Sequence, residues 1–198
     1  MKILLAEDQS MVRGALAALL SMEEGFEITQ AEDGDRAWLL MKQNSYDILL
    51  TDIEMPGRSG LELAQWVLQQ KLPIKTIIIT TFGRSGYIRR AIDMGVSGFL
   101  LKDAPSEQLI QAIYKVMDGK RVIDGELAMM ALGESDPLND KERRALRLAA
   151  EGKTTAEIAV VLCLSEGTVR NYLSEAIAKL NAANRVDAAR IARQKGWI

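Results

Sequence analysis

Glu7, Asp8, Asp52, Thr80 and Lys102 each stand where an apolar run stops. KILLA is followed by Glu7 and Asp8, DILLT by Asp52, TIII by Thr80 and GFLL by Lys102. Three carboxylates brought within a few ångströms repel one another, and a cation is the usual compensation. Hard oxygen ligands with few other groups suit Mg2+, which retains several waters. With such an ion in place, the Asp52 carboxylate can act as a nucleophile toward phosphorus, Lys102 can hold a phosphoryl oxygen and the Thr80 hydroxyl can donate to another. Phosphoryl transfer to an aspartate needs chiefly positioning and charge, and these side chains supply both. Taken singly, each residue has a plainer explanation, because loops are solvated and polar residues commonly end strands. The joint pattern is what points to chemistry.

These groups meet only if the runs are strands of one parallel sheet. Residues 2–6, 27–32, 47–51, 75–80 and 98–101 read as strands, and the stretches between them are long enough for helices. Strands rich in Ile and Leu without polar alternation are expected where helices cover both faces of a parallel sheet. The expected fold for residues 1–118 is therefore α/β, a doubly wound five-stranded parallel sheet of the flavodoxin-like kind. Its strands end on a common edge, where ligands of open α/β folds bind.

Past residue 118 the period is lost through DGKR, IDGE and GESDPL, so 119–136 reads as a linker holding one short helix around 126–132. Residues 137–198 read as a small all-α domain with helices near 140–151, 154–162, 165–181 and 184–194, Gly152 stopping the first and Ser165 capping the third. In the third, Val169, Leu173, Ile177 and Leu180 share one face, and Arg170, Asn171, Ser174 and Glu175 another. Residues 136–198 carry eleven Lys or Arg against eight Asp or Glu, whereas residues 1–135 carry fourteen against nineteen. A basic back half on an acidic front half suits a polyanionic partner.

The chain has 198 residues, no histidine and one cysteine, Cys163. Ser-His-Asp and Cys-His catalysis, His-containing zinc sites and an internal disulfide are excluded. The first twenty residues interrupt their apolar run at Glu7, Asp8 and Arg13, unlike a signal h-region or a membrane span. A cytoplasmic protein without membrane insertion is expected.

Glu7-Asp8, Asp52 in TDIEMPGRSG, Thr80 in ITTFG and GFLLKD ending at Lys102-Asp103 resemble the receiver domain of two-component response regulators over residues 1–118. The stretch LNDKERRALRLAAEGKTTAEIAVVLCLSEGTVRNYLSEAIAKLNAANRVDAA resembles a LuxR-type helix-turn-helix, and the pair together resembles the NarL/FixJ type. The resemblance implies that Asp52 is phosphorylated by a separate sensor histidine kinase, consistent with the absence of histidine here. It implies Mg2+ held by Glu7, Asp8, Asp52 and the backbone carbonyl of Glu54, with Thr80 and Lys102 sensing the phosphoryl group and Phe99 as the aromatic switch. It further implies homodimerisation on phosphorylation and regulation of transcription at double-stranded promoter DNA. In that DNA complex Arg170, Asn171 and Ser174 face base edges while Thr168, Tyr172 and Lys179 lie near phosphates. No enzyme activity is expected beyond the receiver's own phosphoryl transfer and dephosphorylation. Two departures stand out: the family often has Lys where this chain has Arg170, and His where it has Tyr172.

Two other readings stay open at this point. A phosphatase of the haloacid dehalogenase class also places a nucleophilic Asp at a strand end with Mg2+, but needs an Asp where this chain has Glu54. A DNA-binding protein with a vestigial receiver would not need the complete acidic set.

Overall fold

The computed structural model describes residues 1–81, 84–130 and 136–198. They form two compact units, the first from Met1–Gly83 and Tyr87–Leu132, the second chiefly from Gly133–Ile198.

In the first unit strands and helices alternate in the order β1 (Lys2–Ala6), α1 (Ser10–Ser21), β2 (Glu27–Ala31), α2 (Gly34–Gln43), β3 (Ile48–Thr51), α3 (Gly60–Gln69), β4 (Lys75–Thr80), α4 (Ser85–Met94), β5 (Gly98–Leu101), α5 (Ser106–Met117), β6 (Val122–Ile123) and α6 (Gly125–Met130). The sheet is parallel in the order β2-β1-β3-β4-β5-β6. Period-2 alternation sends successive side chains to opposite faces. Ile3, Leu5, Ile48, Leu50, Ile77 and Ile79 pack on one side against Ala17 and Leu20 of α1 and Leu109, Ile113 and Val116 of α5. Leu4, Ala6 and Leu49 face the other way, onto Ala37 and Leu40 of α2 and Leu63 and Val67 of α3. Further along that second face Ile53, Ile78 and Phe99 meet Tyr87, Ile88 and Ala91 of α4 and Leu127 of α6. Both faces are therefore covered, as uniformly apolar strands require.

The sheet has six strands, not the five expected. β6 pairs with β5 through Gly98↔Val122 and Phe99↔Ile123, within the segment read from sequence as linker. Two paired residues leave no periodic signal, and DGKR and IDGE on either side read as turns. α6 occupies the start of the short helix expected near 126–132, whose last two residues lie outside the described ones.

The second unit comprises α7 (Asp140–Ala150), α8 (Thr155–Leu162), α9 (Glu166–Lys179) and α10 (Arg185–Gln194) around a core of Leu138, Leu146, Ile158, Val169, Leu173, Leu180 and Trp197. Local chemistry sets its helix starts. Asn139 and Thr154 form capping boxes with Glu142 and Glu157, and the Ser165 hydroxyl accepts from the Thr168 amide at 3.1 Å.

The turn between α8 and α9 is closed by a Schellman pair, Leu164 N–H to Ala159 C=O at 2.9 Å and Cys163 N–H to Val160 C=O at 3.2 Å. It places exposed Cys163 at φ 55°, in the left-handed region. Glycine is the usual occupant there because a Cβ costs about 1–2 kcal/mol in that conformation. Cys163→Gly should raise stability by about 0.5–1 kcal/mol, the gain being reduced by glycine's extra freedom in the unfolded chain. Urea unfolding of the full chain checks this, and an unchanged or lower midpoint counts against it.

Candidate phosphoryl-acceptor site and nucleic-acid interface

The strand order reverses between β1 and β3: from β1 the chain continues to its neighbour on one side, and from β3 to those on the other. The C-terminal ends of these two strands therefore lie side by side at a topological switch point. Ala6 pairs with Thr51, so Glu7 and Asp8 follow one strand beside Asp52 on the next. The Asp52 amide donates to the Ala6 carbonyl at 3.0 Å, and Lys102 N–H to the Thr80 carbonyl at 2.9 Å. One ligand atom from each of Glu7, Asp8 and Asp52 lies within 4.8 Å of the others.

The Lys102 ammonium bridges this cluster, 2.6 Å from Glu7 Oε2 and 2.8 Å from Asp52 Oδ2. Asp52 Oδ1 accepts from the Ile53 amide at 2.6 Å, and Glu7 Oε1 from the Gln9 amide at 3.2 Å. Asp8 Oδ1 is buried with no hydrogen-bond partner among the described residues. Burial holds the carboxyls of Asp52 and Glu7 above the usual carboxylate range, against the opposing pull of the Lys102 hydrogen bonds and charge. For Lys102 burial acts downward, but its two carboxylate partners outweigh it and the pKa is raised. One ammonium thus faces three acids, and an orphaned carboxylate oxygen points at the imbalance. This donor set fits a hard divalent cation.

The segment after Asp52 is closely packed on its α3 side. A Cβ on Gly60 would come within 1.9 Å of the Asp52 carbonyl oxygen, so glycine lets the start of α3 reach that backbone. Ser59 caps α3 in a capping box with Glu62. Thr80 is buried and Phe99 is fully buried. The Glu54 side chain is exposed, and its Oε1 accepts from the Tyr87 hydroxyl at 2.9 Å. Tyr87 was invisible to sequence reasoning, since the contact spans 33 residues. Gly60 carried a readable signal, the capping box that begins one residue before it.

In the second unit α9 buries Val169, Leu173 and Ala176 and leaves Arg170, Asn171 and Ser174 exposed. Thr168 and Tyr172 are half-buried at the margins of that face. The Lys179 ammonium sits 2.8 Å from both carboxylate oxygens of the buried Glu142, tying the end of α9 to the start of α7. Its spacing along α9 resembles that of a phosphate contact, and only the fold reveals the acid beneath it.

The family described as the response regulator receiver domain matches residues 3–114, and the luxR family of bacterial regulatory proteins matches residues 136–192. The chain is a response regulator of the NarL/FixJ family. Two transcriptional regulatory proteins of Bacillus subtilis (strain 168) are similar to it along their whole length. YvfU is 47% identical over 198 residues, covering 100% of this chain and 99% of the relative. DesR is 45% identical over 197 residues, covering 99% and 98%. Among solved structures, the response regulator ChrA of a heme-sensing two-component system has a TM-score of 0.57 at 29% identity, covering 100% of this chain and 98% of that one. The present response regulator is a transcriptional regulator with a receiver and a LuxR-type DNA-binding domain. No helix among its described residues is long and apolar enough to cross a membrane.

Proposed function

We propose that Asp52 accepts a phosphoryl group from a sensor histidine kinase, and that the phosphorylated response regulator dimerises and binds promoter DNA through α9. The observation that carries this reading is the cluster of Glu7, Asp8 and Asp52 at adjoining strand ends, with Lys102 against it. Glu7, Asp8, Asp52 and the Glu54 carbonyl are the groups suited to hold Mg2+, which supplies charge neutralisation for phosphoryl oxygens.

The ionised Asp52 carboxylate attacks phosphorus as the P–N bond of the donor's phosphohistidine breaks, and the electron pair and a proton go to the imidazole nitrogen. Lys102, already 2.8 Å from Asp52 Oδ2, follows the developing negative charge. The buried Thr80 hydroxyl donates to a phosphoryl oxygen, and buried Phe99 holds the state in which that bond is made. Hydrolysis of the acyl phosphate at the same site resets the protein. A cytoplasmic location follows from a kinase donor and a DNA target.

On the DNA side, Arg170, Asn171 and Ser174 read base edges from the exposed face of α9, with Thr168 and Tyr172 near phosphates. Lys179 reaches DNA only by sharing an ammonium already engaged by Glu142.

Beryllofluoride with Mg2+, which stands in for the phosphoryl group on Asp52, should tighten binding to a site selected from random duplexes, as read by fluorescence anisotropy. Arg170→Ala should cost about 1–3 kcal/mol on that site and relax preference at one base pair. Binding indifferent to beryllofluoride would favour a vestigial receiver, and steady turnover of a phosphomonoester a phosphatase. Equal losses on selected and random DNA would remove Arg170 from base reading.

A further inference from the structure

We infer that Tyr87 is a positioning residue for the metal and phosphoryl site, holding the turn from Asp52 to Glu54 from α4 through the Glu54 carboxylate. The inference rests on Asp52 as phosphoacceptor with Mg2+ beside it, and adds a residue that neither chemistry nor sequence spacing had linked to that site.

The turn is held unevenly along its length. Its first part is boxed in: Asp52 Oδ1 accepts from the Ile53 amide, the Ile53 side chain is 1% exposed, and the Gly60 amide donates to the Ile53 carbonyl at 3.0 Å. Glu54 follows, exposed and outside any helix or strand. Yet it is the peptide whose carbonyl must be aimed at a cation that demands near-ideal octahedral geometry. An exposed peptide samples several orientations unless something fixes it.

Tyr87 is suited to fix it. Its ring is 5% exposed and lies in one apolar cluster with Ile53, Phe99 and Leu127, so the hydroxyl is delivered from a rigid base. The Arg90 guanidinium sits 5.5 Å from the ring centroid and adds a further restraint. From there the hydroxyl donates to Glu54 Oε1 at 2.9 Å, a hydrogen bond to an ionised acceptor. The side chain of Glu54 is thereby drawn to α4, and with it the orientation of the peptide that carries the carbonyl. The ring shares its apolar cluster with Ile53, so the same part of the core holds both members of the turn that follow the phosphoacceptor.

Mg2+ titration of the full chain by isothermal calorimetry tests this. Tyr87→Phe keeps the ring and its packing and removes only the hydroxyl, and it should weaken Mg2+ binding about fivefold, the worth of one hydrogen bond. The unfolding midpoint in chelator should fall by no more than about a few degrees, since the same hydrogen bond is lost from the metal-free fold. In a Glu54→Ala background the same Tyr87 change should be silent, because the contact is already gone. Should Tyr87→Phe fold poorly, two neutral replacements report the same contact: Glu54→Gln, which still accepts from Tyr87, should bind Mg2+ about fivefold tighter than Glu54→Ala. Unchanged affinity in Tyr87→Phe overturns the inference, as does an equal loss with and without Glu54, which assigns the effect to packing. Wild-type protein that binds no Mg2+ and takes no label from acetyl phosphate overturns the phosphoacceptor reading as well. Wild-type binding and labelling matched by the variant overturns the Tyr87 role alone.

Discussion

Asp52→Asn should abolish phosphoryl labelling by acetyl phosphate and, in chelator at neutral pH, raise the thermal midpoint of the protein. The first effect is loss of the nucleophile: an amide has the shape of the carboxylate but no oxygen able to displace a leaving group from phosphorus. The second follows from burial. The folded-state pKa of Asp52 is raised above 3.8, with desolvation the largest cause. Between the unfolded and the folded value the native state binds more protons than the unfolded one, so stability falls as pH rises through that window. Above both values the ionised carboxylate carries the full penalty, which asparagine removes. Lys102 keeps its ion pair to Glu7 at 2.6 Å in the variant, so the ammonium is not left alone. A change of 1 kcal/mol moves the midpoint of a chain this size by about 2–4 °C. Adding Mg2+ stabilises the wild type by binding only its folded state and narrows the gap. Scanning calorimetry with and without chelator, beside a labelling assay, checks both halves. Label that survives the substitution removes Asp52 as acceptor, and a lower midpoint in chelator makes the Lys102 ion pair worth more than the burial of the charge.

The acidic site was legible because each of its members interrupts an apolar run. Leu4, Leu5, Leu49, Leu50, Ile77 and Ile78 are wholly buried, and such residues leave unbroken hydrophobic runs in the sequence, so the polar residue that ends each run stands out. What no run reveals is adjacency. That β1 lies against β3 follows from the crossover, and so does the meeting of Glu7 with Asp52. β6 escaped notice for a related reason, since Val122 and Ile123 are two residues on a sheet edge whose partners, Gly98 and Phe99, lie more than twenty positions away. The same blindness to distance hid Tyr87 behind Glu54 and Glu142 beneath Lys179. Helix starts in the second unit were easier, because Asn139, Thr154 and Ser165 act on amides two or three positions ahead of them.

Met11→Glu combined with Met117→Glu should leave Asp52 labelling intact while abolishing the mass increase expected in sedimentation on adding beryllofluoride and Mg2+. α1 and α5 pack on the same side of the sheet, through Ala17 and Leu20 of one and Leu109 and Ile113 of the other. Both leave apolar side chains on their outer faces: Met11 is 85% exposed, and on α5 Tyr114 is 46% and Met117 40% exposed beside the exposed Gln111 and Lys115. Ala15 and Ala18 are exposed beside Met11, and Val12, Leu16, Leu19 and Leu109 line a pocket that reaches the buried Ile79 and Leu100. Small side chains let a second helix approach closely, and this uncharged α1 face suits its own copy better than an ionic partner. Ile110, which sequence places on the same stripe, instead packs partly against the core, so the two exposed methionines make the cleaner test. The functional consequence comes from the reading head. With Ser174 and Glu175 on its exposed face, one copy of α9 offers little positive charge to DNA. Two copies joined through their receivers present the second head at an effective concentration near millimolar, which raises affinity by about 10²–10⁴ without a new contact. The double variant should lose that factor on a two-half-site operator and lose nothing on a single half-site. If the phosphorylated double variant still dimerises, the interface lies elsewhere, and α10, with Val186 72% exposed, is the next face to test.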